Sequence, residues 1–374
     1  MKNANVTLLV DLGNSETRAE IVFNGKSVKA EIPNSYCELH ENYTIPEDYR
    51  NDDSTVFVCD GEYIANGEIV AHEFVRHEMR PTGLKHKSEQ ITSKYSIIMV
   101  MTRAIALISG NLGSIPTDIN WVFDIACLLP PDEQSSKDDV GKMKDMISEI
   151  TEVHCASPIN YKVPVSIKDV RIFPEGVVAY TAAMFTMKDG KAVANADNLK
   201  YRQGYTLVMD IGAGTTDLAM VFNGKFVAAS KTTIKTGGNY VEKTCKKEIR
   251  RKFGNAPTDM TEIIEKGVYT RGNERIIMDD VLIRAKKDFA AELNKEIIEY
   301  LEVTQIPVHE LKGLLVIGGG AIATERDGKV ISESLAYPLC ENIKSMAKSV
   351  ELIKTDINPR FANIEGLHIM STMW

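Results

Sequence analysis

Two stretches of this chain are near copies of each other. Residues Val6 to Lys26 read VTLLVDLGNSETRAEIVFNGK, and Tyr205 to Lys225 read YTLVMDIGAGTTDLAMVFNGK. They align without a gap at a constant offset of 199, as from Asp11 to Asp210. Thr7/Thr206, Leu8/Leu207, Asp11/Asp210, Gly13/Gly212 and Thr17/Thr216 are identical, as is the closing run Val-Phe-Asn-Gly-Lys. Each copy is an apolar run ending on an acidic residue, a glycine-containing turn, a second apolar run and an Asn-Gly pair. Such a run suits a buried strand, and Asn-Gly is a strong two-residue hairpin signal. Two unrelated hairpins would account for the Asn-Gly pairs, but not for the shared acidic residue and turn glycine. Self-similarity half a chain apart predicts two domains of related topology, and 374 residues are enough for two.

The turns suit an anion. Gly13, Gly212 and Gly214 let backbone approach a ligand closely. Exposed N–H groups in such turns make anion-binding concavities. Ser15, Thr17, Thr215 and Thr216 add hydroxyls. Asp11 and Asp210, at the strand ends, could hold a hydrated Mg²⁺, which keeps several waters and needs few carboxylates. Two such loops facing each other would clamp the β- and γ-phosphates of a nucleotide, a layout in which positioning and electrostatics do most of the work.

Other nucleotide motifs compete poorly. No G-x-x-x-x-G-K-[ST] is present, so a Walker loop is excluded. Gly318-Gly319-Gly320-Ala321-Ile322-Ala323 fits G-x-G-x-x-A after an apolar run, but a dinucleotide site needs a full helix opening there. The polar turn Thr324 to Gly328 follows instead, so the glycines are expected to offer bare backbone to a base or ribose. The six cysteines are scattered with no C-x-x-C pair, which fits reduced thiols. His72 and His77 are five apart and miss the zincin spacing. A net charge of −8 argues against a surface that coats nucleic acid directly. No signal peptide is visible, and Tyr95 to Ile108 is expected to be a buried helix too short to span a bilayer. A cytoplasmic protein is expected.

These residues resemble the actin/Hsp70/sugar-kinase ATPase superfamily. Asp11 to Thr17 looks like its first phosphate loop, with Gly13, Asn14, Ser15 and Thr17 as contacts. Asp210 to Asp217 looks like the second, with Gly212, Ala213, Gly214, Thr215 and Thr216. Val316 to Gly320 looks like the adenosine loop. Pro174 to Tyr180 and Asn358 to Leu367 look like the two connecting helices. Within the superfamily the chain is most similar to ParM-type plasmid-segregating bacterial actins, through Val165 to Glu175, Ile125 to Pro130 and Phe361 to Leu367. In the first loop Asn14 precedes Ser15, which leaves both open as the donor to the γ-phosphate.

The resemblance implies an α/β actin-like ATPase fold: two related α/β domains, each built on a ribonuclease H-like core, flanking a nucleotide cleft. Domain I would comprise residues 1–187 plus 357–374, with a small variable subdomain at about 35–85. Domain II would comprise 200–356, with an adenosine-side subdomain at about 238–304. It also implies a Mg²⁺-dependent ATPase or GTPase with Glu175 as the catalytic carboxylate assisted by Asp210. The bare reading of Glu175 is an exposed acidic residue at a helix start. Asp11 and Asp210 would hold the Mg²⁺ through water. Gly238, Lys243, Lys247, Gly318, Gly319 and Gly320 would flank the base and ribose, although a basic helical run such as Lys243 to Lys252 is by default a solvated face.

The implied function is a filament whose dynamics are driven by hydrolysis and which moves plasmid DNA. Its partners would be further copies of itself and a ParR-like DNA-binding adaptor on a plasmid centromere, with no direct nucleic acid or membrane contact. The alternatives are a non-polymerising small-molecule kinase of the same superfamily and another bacterial cytoskeletal actin. Among other segments, 279–303 has the spacing of a core-packing helix, and 188–204 reads as a turn-rich connection between the domains.

Overall fold

The computed structural model describes residues 2–40, 43–47, 54–71, 78–81, 85–110, 119–188, 190–257 and 260–372. His72 and His77 lie outside the described residues. By contacts the chain divides into two compact units, Met1–Pro174 and Glu175–Trp374.

The first unit runs β1 (Lys2–Leu12), β2 (Glu16–Phe23), β3 (Lys26–Pro33), β4 (Tyr36–Leu39), β5 (Ser54–Cys59), β6 (Glu62–Gly67), β7 (Glu78–Met79), α1 (Ile91–Gly110), β8 (Ile119–Leu129), α2 (Pro131–Ser135), α3 (Lys137–Ser148), β9 (Glu152–Ser157) and β10 (Tyr161–Pro174). Its strands form one sheet in the order β3-β2-β1-β8-β10-β9-β5-β6-β4-β7. β1, β8 and β10 are parallel neighbours. Polar β3 takes one edge, with its Lys26, Lys29 and Glu31 exposed or half-buried, a composition that discourages edge pairing. Tyr36, Phe57 and Tyr95 meet edge to face with centroids 5.5 to 6.4 Å apart, the geometry aromatic quadrupoles prefer.

Helix α1 begins four residues before Tyr95 and has 20 residues, so it is longer than the sequence reading gave it. It is the one helix among the described residues long and apolar enough to cross a membrane, and 72% of that stretch is buried within the structure.

The second unit runs α4 (Val177–Met184), β11 (Phe185–Lys188), β12 (Lys191–Ala194), β13 (Tyr205–Ile211), β14 (Thr216–Phe222), β15 (Lys225–Phe226), β16 (Thr232–Ile234), α5 (Asn239–Phe253), α6 (Thr261–Lys266), β17 (Val268–Arg271), β18 (Glu274–Ile277), α7 (Asp279–Thr304), β19 (Leu311–Ile317), β20 (Thr324–Arg326), β21 (Lys329–Ser332), α8 (Ala336–Lys344), β22 (Glu351–Leu352) and α9 (Ala362–Ser371). Its main sheet has the order β15-β14-β13-β19-β22, with β16 also on β14. The stretch read as a plain connection contains the end of β11, β12 and a 3-10 turn at Leu199–Arg202.

The two copies of the repeat fold alike. Asp11 pairs with Arg18 and Leu12 with Thr17, while Asp210 pairs with Asp217 and Ile211 with Thr216. The registers are the same after the offset. In both copies the second strand then turns back through an Asn-Gly pair with φ of 50° and 74°, Asn24-Gly25 into β3 and Asn223-Gly224 into β15, the left-handed pair that a type I′ turn requires. β1 and β13 then each take a parallel neighbour on their other side, β8 and β19.

Helix α7 has the predicted face: Val281, Leu282, Ala285, Phe289, Leu293, Ile297 and Leu301 are all buried. Phe289 stacks on Tyr240 of α5 at 5.4 Å and 17°. Phe289→Ala is expected to destabilise the protein by ~3–5 kcal/mol, the usual cost of emptying an aromatic core site. Val303→Ser, at a position 75% exposed, should stay within about 0.5 kcal/mol of the parent. Denaturant unfolding of the two variants checks both.

Candidate functional site

The two loops share a surface pattern as well as a register. From Asp11 to Thr17 the residues run buried, buried, half-buried, half-buried, exposed, half-buried, buried, and Asp210 to Thr216 repeat that order. Asp11 is 7% exposed and Asp210 8%. Ser15 and Gly214 are the exposed tips. Thr17 and Thr216 are fully buried. Their hydroxyls donate inward, Thr17 to Asn34 Oδ1 at 2.8 Å and Thr216 to the Thr236 carbonyl at 2.8 Å. In this geometry both threonines brace the loops from beneath.

The braces differ. The first loop rests on Asn34, a buried residue between β3 and β4. Its backbone N–H donates to the Ser15 carbonyl at 2.9 Å, and its amide donates to the Gly13 carbonyl. Its Oδ1 accepts from Thr17, from Ser96 at 3.0 Å and from Tyr36 at 3.2 Å. The second loop is held mainly by backbone. The Gly238 and Asn239 N–H groups donate to the Gly212 and Ala213 carbonyls, each at 2.8 Å, and Gly212 N–H donates to the Thr215 carbonyl at 2.9 Å. This brings Gly237 so close that an added Cβ would lie 2.6 Å from both the Gly212 oxygen and the Thr215 nitrogen. Only glycine fits there. Ala213, Thr215 and Gly238 are half-buried around this junction, as Gly13 and Asn14 are in the first loop.

Asp210 pairs with Ile317, so the run Gly318 to Gly320 starts beside the carboxyl end of β13. Gly318 has φ of 89° and donates its N–H to the Pro359 carbonyl at 3.0 Å. A Cβ on it would be 2.5 Å from the Ile211 carbonyl oxygen. Gly319 and Gly320 are half-buried and open a single 3-10 turn, Gly319–Ala321. A dinucleotide-binding helix is therefore absent at this place.

Glu175 is not in the helix that follows it. Gly176, with φ of 73°, separates it from α4, and Glu175 is 7% exposed. The exposed helix-start reading fails for that reason. Asn363 of α9 ties this turn to Asp210: its Nδ2 donates to Asp210 Oδ2 at 2.7 Å, and its Oδ1 accepts from Gly176 N–H at 3.0 Å. Asp210 and the turn that carries Glu175 thus share one bridge, Asn363, in the second unit.

Lys243 and Lys247 stand one turn apart on α5 and are both exposed. A different lysine, Lys286 of α7, is 5% exposed and donates to the Ile322 carbonyl at 2.9 Å and to Thr324 Oγ1 at 3.0 Å. It pins the segment that leaves the glycine run. Burial pulls its ammonium down to about 8. All six cysteines are buried and outside any disulfide, and burial pushes the thiols of Cys155 and Cys245 up to about 11.

Sequence reasoning missed Asn34, Gly237, Lys286 and the bonding role of Asn363. Gly237 had a visible signal in the Gly-Gly-Asn run. Asn34 carries no comparable local signal.

Comparison with known proteins bears on the fold. Residues 208–327 match the family model described as archaeal actin homologue MreB-like, C-terminal. The actin-like protein Alp7A is similar over 99% of this chain and 96% of its own, with a TM-score of 0.72 at 16% identity. The archaeal actin homologue Ta0583 in complex with ADP is similar over 99% and 100%, with a TM-score of 0.66 at 16% identity. Bacillus thuringiensis ParM with ATP is similar over 99% and 98%, with a TM-score of 0.67 at 14% identity. No curated protein matches the chain by sequence. The chain has the actin-like ATPase fold.

Two outcomes follow from the braces. Gly237→Ala should cost about 1–3 kcal/mol or more, the range for overpacking, whereas Gly214→Ala, with nothing within 4 Å of its added Cβ, should fold like the parent; thermal unfolding separates them. Lys286 gives a pH signature. Its folded value of about 8 lies below the ordinary lysine value of about 10.4. Between the two the unfolded chain binds more protons, so stability from this group rises with pH. The difference in unfolding free energy between pH 7 and pH 10 should be more favourable to folding in the parent than in Lys286→Met.

Proposed function

We propose that the chain is a polymerising nucleotide triphosphatase, using ATP or GTP with Mg²⁺, whose hydrolysis controls a filament. The observation that carries this is the duplicated loop: two turns of the same register and burial, each beginning at a buried aspartate and each presenting backbone at its tip. Backbone N–H groups in such turns suit phosphate oxygens. Ser15, Asn14 and Thr215 supply side-chain donors, with Ala213 and Gly214 contributing N–H groups. Gly238 and the Gly318 to Gly320 run supply bare backbone for base and ribose, with Lys243 and Lys247 as nearby cations. The similar structures with ADP and with ATP support a nucleotide ligand.

Among the described residues no group of three or more His, Cys, Asp or Glu could hold a metal directly. Following the family resemblance, Asp11 and Asp210 would hold Mg²⁺ through water, the mode this cation favours beside phosphates. When bound it neutralises phosphate charge. The chain's own part is to hold the triphosphate still and to orient a water with the Glu175 carboxylate, assisted by Asp210. The water oxygen bonds to the γ-phosphorus as the bond to the β–γ bridging oxygen breaks, and the water's proton passes to the Glu175 side.

The finer reading is plasmid segregation in the cytoplasm, with the DNA held by a ParR-like adaptor. The net charge of −8 supports an adaptor over direct DNA contact. In this reading residues 1–187 with 357–374 act as one domain and 200–356 as the other.

Light scattering and pelleting with ATP or GTP, with Mg²⁺ or with chelator, test the proposal. Nucleotide-dependent polymer is expected. Hydrolysis with no polymer at any concentration would favour the small-molecule kinase alternative, and neither polymer nor hydrolysis would sink both. Glu175→Ala is expected to bind nucleotide and polymerise while hydrolysing at least 100-fold more slowly, within the usual ~10²–10⁴-fold contribution of such a group. Phosphate release from preformed polymer measures it.

A further inference from the structure

We infer that Asn363 is a positioning residue for hydrolysis, acting through Asp210 and Glu175; this rests on the triphosphatase reading above. Asn363 is 6% exposed. One face of its amide donates to Asp210 Oδ2 at 2.7 Å, and the other accepts the Gly176 N–H at 3.0 Å. The partners are 153 and 187 residues away in sequence. A single planar group therefore sets the rotamer of one carboxylate and the place of the backbone that carries the other.

The chemistry favours an amide here. Gly176 offers a donor and Asp210 an acceptor, and Asn presents an acceptor and a donor on separate atoms of one short planar group, which a single hydroxyl cannot. An ionised carboxylate in its place could not donate to Asp210 and would set two like charges side by side. An apolar residue would leave a buried N–H and a buried carboxylate oxygen each without that partner. The backbone around the bridge is stiff. Gly176 has φ of 73°, and a Cβ on it would lie 3.9 Å from the Asp210 Cβ. Gly366, one turn along α9, meets the Val178 carbonyl of α4 so closely that a side chain has no room. The two helices pack closely at Gly366, so the loss of the bridge is expected to fall on the two carboxylates.

Displacement of a reacting group by about 1 Å can cost on the order of 10²-fold in rate. Asn363→Ala in the full chain is expected to lower kcat for ATP or GTP by about 10–100-fold, with KM and calorimetric affinity for the Mg²⁺ nucleotide within about threefold of the parent. Asn363→Leu, similar in volume and without a donor, should show the same split and covers the case in which the alanine variant folds poorly. Thermal unfolding confirms that each variant is folded. In a Glu175→Ala background, adding Asn363→Ala should slow single-turnover hydrolysis by no more than about threefold, because groups that act as a unit are not additive. A normal kcat in both folded variants overturns the inference. So does a full additional loss in the Glu175→Ala background, which would mark a separate structural role. Absence of hydrolysis by the unmodified chain overturns the triphosphatase reading and this inference with it, which distinguishes the two failures.

Discussion

The carboxyl end of β13 is closed in by main chain. Asp210 and Ile211 meet Gly318 on one side, and the loop that follows meets Gly237 and Gly238. Backbone hydrogen bonds and backbone contacts leave no space for side chains at Gly237 and Gly318. The second unit is organised by this crowding. Segments from residue 175 to residue 363 must reach one place, and they do so as glycine turns and helix starts. Asp210 is buried there, and the Asn363 amide donates to its carboxylate.

The first unit reaches a similar loop by other means. Its turn stands on the amide of Asn34, and the hydroxyls of Thr17, Ser96 and Tyr36 converge on the Asn34 oxygen. Buried polar groups of this kind are stable only when fully partnered. Tyr36 also packs edge to face with Phe57 and Tyr95, so the same ring secures the aromatic cluster and the loop. The duplicated hairpins are thus one device mounted on two different supports.

The hairpins and their register were legible because they rest on local rules: apolar runs for strands, Asn-Gly for turns and a constant offset. The buried face of α7 was legible from its period. The supports were not. Apart from Tyr36, the side-chain partners of Asn34 and Asn363 lie from 17 to 187 residues away, and nothing in local composition marks an asparagine as a bridge. Glu175 was placed at a helix start because Pro-Glu looks like one, but the positive φ of Gly176 takes it out of the helix. The β11–β12 hairpin escaped because its strands are largely exposed and carry little apolar alternation. The length of α1 was underestimated because polar residues such as Ser93 and Thr92, buried in its first turn, broke the apolar run.

The unequal supports have a consequence for how the halves can diverge. A scaffold of side chains can be rebuilt stepwise, since one hydroxyl can be exchanged for another while the remainder hold. A scaffold of main chain offers no such intermediate, because any residue larger than glycine at Gly237 displaces the turn itself. Drift should therefore accumulate around the amino-terminal copy and be resisted around the carboxyl-terminal one. Of the two copies, the one braced by glycine backbone has the least room to change.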